Sequence, residues 1–199
     1  MKTENYINWQ NYSASVGKVS QVTWSIDDMA DFKWEEKYMT DEIPEDDNWN
    51  TFATNQKKEL EKMYHDWQVP KDGSRHYMCI RPDLPINLKS ILEPYTNIQF
   101  NYNFLKLTSG CSLMWHFDTY ATFVKYNDIK LHQVKNISRT AIMMNDWDRG
   151  QILQVGNGIY THWKAGDTFT WKADMWHGMS NFGPSECIIS QITTLEEYV

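Results

Sequence analysis

The chain has 199 residues, long enough to bury the core of one domain and too short for two comfortable ones. Its 19 Lys and Arg against 26 Asp and Glu give a formal net charge of −7, and the cations are spread along the chain, which argues against duplex nucleic acid as a partner. Three cysteines without paired spacing give no disulfide framework or zinc ribbon, and no stretch has the composition of a signal peptide or a membrane span, so a cytoplasmic protein is expected.

In chain order, "SIDDMADFKWEEKY" opens with a capping-box pair, Ser25 and Asp28, and reads as a helix. "TDEIPEDDNWN" reads as an acidic loop, a solvated connection or a lure for a cationic substrate. "QKKELEKMYHDW" places Leu60, Met63, Tyr64 and Trp67 on one helical stripe, and "NLKSILEPY" does the same with Leu88, Ile91, Leu92 and Tyr95 before Pro94 disturbs its end. From about Asn97 the pattern changes to strand-length runs: "IQFNYNFLKL", "SLMWHF", "RTAIMM", "QILQV", "GIYTHW", "DTFTW" and "CIISQITT". Turn signals separate them at the spacing of a sandwich or barrel. The expected architecture is one domain of α+β class, mainly β. Residues 1–96 form a helical and loop support, and residues 97–199 a jelly-roll core with the N-terminal helices packed on one sheet.

Within that core, "SGCSLMWHFDTY" sets His116 and Asp118 two apart, on one face if the segment is extended. Taken alone, such a pair is as readily a buried histidine with a surface aspartate as two arms of a metal site. A third ligand is offered by His177 in "DMWHGMSNFG". Two histidines and one carboxylate on one face of an ion form the triad of non-haem Fe(II) oxygenases. His65, His76, His132 and His162 lack a ligand-type neighbour at same-face strand spacing and read as surface or structural.

With its glycine turn before the first histidine, the Gly-Asp turn and strand before the second, and "NFG" after it, residues 97 to 194 resemble the 2-oxoglutarate and Fe(II)-dependent oxygenases. The resemblance implies a double-stranded β-helix (cupin-like) core with His116, Asp118 and His177 as metal ligands and catalytic centre. It further implies Fe(II) as metal, 2-oxoglutarate as co-substrate, and hydroxylation of an amino acid, a protein side chain or another small molecule. This sequence departs from the family in carrying no Lys or Arg after Lys172, where an anchor for the far carboxylate of 2-oxoglutarate is usual. Arg139, at the start of "RTAIMM", is the expected substitute, because a guanidinium grips a carboxylate through two parallel hydrogen bonds. Ser190, Tyr102 and Asn103 are expected to add neutral hydrogen bonds. Gln191 is the alternative to Ser190, since strand alternation does not decide which of two neighbours faces inward. The segment "TYATFVKYNDIKLHQVKNIS" is long for a connection and reads as a lid or a surface excursion. The missing anchor leaves three rivals: a cupin-like iron enzyme that does not use 2-oxoglutarate, a non-catalytic metal- or ligand-binding β-sandwich, and a zinc hydrolase.

Overall fold

The structure, a computed structural model, describes residues 12–39, 58, 61–68, 71–118, 120–173 and 175–195. Eleven strands lie among the described residues. The first three are β1 (Ser15–Lys18), β2 (Glu35–Tyr38) and β3 (Arg75–Ile80); then come β4 (Phe100–Leu107), β5 (Cys111–His116), β6 (Ile137–Met143) and β7 (Gln151–Val155). The last four are β8 (Gly158–Tyr160), β9 (Asp167–Lys172), β10 (His177–Asn181) and β11 (Cys187–Leu195). They build a seven-stranded sheet in the order β1-β9-β6-β11-β4-β3-β2 and a four-stranded sheet in the order β5-β10-β7-β8. All strand pairs are antiparallel. From β4 onward the chain passes from one sheet to the other at every connection except the β7–β8 hairpin, so that β4-β11-β6-β9 face β5-β10-β7-β8, which is the double-stranded β-helix.

Alternation along each strand explains why two apolar layers form. On the inner face, Leu105, Met143 and Ile189 of the large sheet meet Leu113, Leu153 and Met179 of the small one. On the outer face, Phe104, Ile142, Ile188 and Ile192 take Trp24, Met29, Leu88 and Ile91 from the N-terminal half. β11 is central and covered on both faces, so all nine of its residues are buried. Each fully buried aliphatic or aromatic side chain contributes roughly 1.5–3 kcal/mol.

The N-terminal half departs from the helical support expected of it, because it supplies three strands of the large sheet. The helix expected from Ser25 is a single 3-10 turn, Ile26–Met29, closed by the Ser25 amide donating to Asp28 at 2.7 Å, and the chain then runs out into β2. The second stripe is helical over residues 61–66, with Tyr64 buried and Trp67 exposed; Leu60 and the acidic loop lie outside the described residues. The third is a short helix, Ile86–Lys89, and a 3-10 turn, Glu93–Tyr95, with Pro94 in its first turn. Among the described residues no helix is long and apolar enough to cross a membrane. Cys79, Cys111 and Cys187 are buried free thiols.

Candidate metal centre

Gly110 makes the turn into β5 with φ of 78°, a conformation that costs a side-chain-bearing residue, and its amide donates to Asn181 O at 2.8 Å. That contact ties the start of β5 to the end of β10. Asn181 also donates to Leu107 O and Ser185 O and accepts from the Gly183 amide, so "NFG" forms the turn leading toward β11. At the other end of the pair, His116 and His177 are direct cross-strand partners. Their ring centroids are 4.3 Å apart. Asp118 lies two residues beyond the end of β5, with its carboxylate 3.9 Å (Oδ1) from His116 Nε2 and 3.6 Å (Oδ2) from His177 Nε2. The three ligand-type atoms all fall within 4.8 Å of one another. The structure therefore brings together the three residues that the sequence grouped, although the strand ends before it reaches Asp118.

Both imidazoles are oriented in the same way. His116 Nδ1 lies 2.5 Å from Met114 O and His177 Nδ1 lies 2.9 Å from Met175 O, in each case the carbonyl two residues earlier. Donation to these carbonyls leaves each Nε2 as a lone pair facing Asp118. His177 Nε2 is buried with no hydrogen-bond partner among the described residues. Burial first, then the neighbouring His177, pushes His116 down to about 3, and burial lowers His177 as well, so both are neutral at physiological pH. Two neutral imidazole nitrogens and one carboxylate fit a divalent first-row ion, and the unpaired His177 nitrogen is the local sign that something is to be bound there.

Arg139 reaches the site from β6, where it pairs with Thr193 of β11 and Trp171 of β9. Its Nε and Nη2 both donate to Asp118 Oδ2, at 3.1 and 2.9 Å. The Tyr120 ring lies under the guanidinium, 5.2 Å from Cζ. Burial alone would raise the Asp118 carboxyl; Arg139 first, then the two histidines, outweigh it and hold the group well below the usual carboxylate range. Asp118 is therefore ionised, with Oδ2 engaged by Arg139 and Oδ1 left for an ion. The segment after Asp118 is ordered behind this cluster, as a helix, Ala121–Tyr126, and a 3-10 turn, Leu131–Asn136. Tyr120, Phe123, Val124 and Ile129 pack there against Ile137, Ala173 and Leu195.

A cavity of about 170 Å³, lined by His116 and Asp118 of the triad, runs along the inner face of the large sheet. Met78, Leu105, Leu113 and Phe117 give it apolar walls; Asn103, Gln191 and His76 give it polar ones, with Glu61 and Tyr64 coming from the helical segment 61–66. The expected contacts divide by strand face. Asn103 lines the cavity. Tyr102 and Ser190 do not: both lie on the outer face, Tyr102 donating to Pro82 O at 2.8 Å and Ser190 flanked by Ile188 and the outer-face partner Ile142. The alternation that turns Asn103 inward turns its neighbour outward, and the cross-strand partner of Asn103 is Gln191. His76, read as a loop histidine, is instead a fully buried residue of β3 facing the cavity. Its alternation with Met78 was the available signal, hidden because "RHYMCI" follows a turn-like "KDGS". His65 and His132 are exposed as expected, and His162 stacks on Trp147 at 4.1 Å, away from the site. Trp171, with no exposed surface to speak of, packs its ring 4.8 Å from that of His177.

No family model matches the chain, and no curated protein sequence matches it. Solved structures with a similar fold include a predicted oxalate decarboxylase from Thermotoga maritima (13% identity, TM-score 0.40, covering 61% of this chain and 82% of that one). The Cnp3 cupin domain of Schizosaccharomyces pombe (9% identity, TM-score 0.39, 61% and 65%) and a cupin domain from Bordetella pertussis (12% identity, TM-score 0.36, 59% and 90%) are also similar. At these values the likeness adds nothing to the fold already evident from the strand order, and the site is read from its own geometry.

Proposed function

We propose that the chain is a mononuclear non-haem Fe(II) oxygenase that uses 2-oxoglutarate as co-substrate and hydroxylates a small molecule or a side chain. The observation that carries this reading is the His116, Asp118 and His177 triad, two of whose members line a cavity, with oriented Nε2 atoms and a buried nitrogen that has no hydrogen-bond partner among the described residues. Bound Fe(II) would supply the capacity to activate O₂. The residues of the chain then have definable tasks. The two histidines and Asp118 would hold the ion. Met78, Leu105, Leu113 and Phe117 keep water from the reacting centre. A cavity of about 170 Å³ takes a small molecule, so a protein substrate would enter it only by a side chain.

One observation favours a second reading, an iron enzyme of the same fold that does not use 2-oxoglutarate. Arg139 is the one Lys or Arg lining the cavity among the described residues, and it is spent on Asp118. A single experiment separates the two. Anaerobic Fe(II)-loaded protein is titrated with 2-oxoglutarate and then exposed to O₂. The first reading expects a visible charge-transfer band and slow formation of succinate, both lost in His116→Ala and Asp118→Ala. Metal binding with no band and no succinate at saturating 2-oxoglutarate would leave the second.

A further inference from the structure

Resting on the first of these readings, we infer that the far carboxylate of the co-substrate is held by an uncharged amide pair, Asn103 and Gln191, in place of the customary basic residue. The two are direct partners across β4 and β11 and line the same cavity as His116 and Asp118. Gln191 is 8% exposed and its side chain makes no hydrogen bond to any described residue, and Asn103 Oδ1 is buried without a partner among the described residues. Buried amides are ordinarily satisfied, and an unpartnered amide oxygen beside a second amide that lines the same cavity marks a place where a ligand completes the bonding. A half-turn about its last bond lets each amide present N–H donors, so the pair offers a carboxylate up to four.

Position and charge both suit this role. Thr193 is the β11 partner of Arg139, and Gln191 is the next inward residue on that strand, roughly 7 Å along it. A five-carbon 2-oxo diacid that meets the ion through its keto and adjacent carboxylate oxygens carries its other carboxylate three carbon–carbon bonds further, away from the ion. Arg139 lies too close to the ion to serve that end while it holds Asp118. It still does the electrostatic work. A divalent ion, ionised Asp118 and Arg139 together carry two positive charges, matching a dianion with no further cation at its far end. The missing C-terminal Lys or Arg is thereby accounted for, its charge moved to Asp118 and its hydrogen bonds to the amides.

The test uses anaerobic Fe(II)-loaded full-length protein, with the charge-transfer band as readout and two probes: 2-oxoglutarate, and pyruvate, which has the same metal-binding head and no far carboxylate. Wild type is expected to bind 2-oxoglutarate well below the concentration needed for pyruvate. Asn103→Leu and Gln191→Leu should each weaken 2-oxoglutarate by roughly tenfold or more, the loss of a hydrogen bond to a charged group, and leave pyruvate unchanged. Both metal-free variants should unfold at a urea midpoint no lower than wild type, because their amides have no partner to lose. At saturating Fe(II), Arg139→Lys should retain most of the preference for 2-oxoglutarate over pyruvate. Unchanged 2-oxoglutarate affinity in both Leu variants, or loss of the preference in Arg139→Lys, overturns the amide anchor while leaving the oxygenase reading intact. Wild type that binds Fe(II) and neither probe overturns both.

Discussion

At the scale of single residues the site depends on who holds Asp118. The ion pair with Arg139 is largely buried, the two side chains being 11% and 21% exposed. Removing one partner of such a pair strands the other charge, at a cost of about 3–5 kcal/mol. Arg139→Gln is therefore expected to destabilise the metal-free protein by roughly 3 kcal/mol in urea unfolding. The same substitution releases Asp118 Oδ2 from its two donors and lets the carboxylate rotate, so affinity for a spectroscopic probe ion such as Co(II) should fall about 10–100-fold, the usual effect of losing a ligand's outer partner. Calorimetric titration of Co(II) into wild type and Arg139→Gln measures this directly. Equal affinities would mean that Asp118 keeps its orientation without Arg139. The sequence placed Arg139 near the site, but as a partner for a co-substrate; a spacing pattern shows that a cation and a carboxylate share a neighbourhood and not that they neutralise each other.

At the scale of elements, what was legible follows from periodicity and turn chemistry. "QILQV", "DTFTW" and "CIISQITT" became β7, β9 and β11 with bounds within one residue, because β-branched and aromatic residues lie between clear turns. β10 is "HGMSN", with neither alternation nor β-branched residues, and is a strand only because β5 and β7 flank it. β1 and β2 are short edge strands with mostly exposed or charged residues, and a local pattern cannot announce a pairing made by distant partners. The same distinction between local and tertiary causes separates two glycines. At Gly110 a Cβ would meet nothing within 4 Å, so Gly110→Ala should cost only the positive-φ penalty, about 1–2 kcal/mol. At Gly183 a Cβ would sit 1.8 Å from Arg149 O, and Gly183→Ala must displace the backbone turn before β7, so a larger loss is expected. Urea midpoints of the two variants check the order. A Gly110→Ala variant less stable than Gly183→Ala would place the constraint in the turn before β5 instead.

At the scale of the whole molecule, the two sheets do for the histidines what no local motif does, which is to keep them dry. β5 and β10 bring the rings together, the large sheet and Trp171 cover them, and desolvation then sets their charge. The consequence is a pH dependence of folding in the metal-free protein. Above pH 6.5, the ordinary value for His116, the residue is neutral whether folded or unfolded and adds no slope. Below it the unfolded chain takes up a proton that the folded chain refuses until the pH nears 3, so stability falls with falling pH, by up to about 1.4 kcal/mol per pH unit for such a group. His177 acts in the same direction, and Asp118, whose folded carboxyl lies below its ordinary value, joins once the pH falls below that value of 3.8. Urea midpoints of chelator-treated wild type and His116→Asn between pH 7.5 and about 4 isolate the His116 contribution: the wild type should lose stability more steeply below pH 6.5 than the variant. Parallel profiles would show that His116 titrates as an exposed imidazole and that the sheets do not exclude water from it. A saturating divalent ion should push the onset of the loss to lower pH, because only the folded chain presents the three ligands together and protons must then compete with the metal for them.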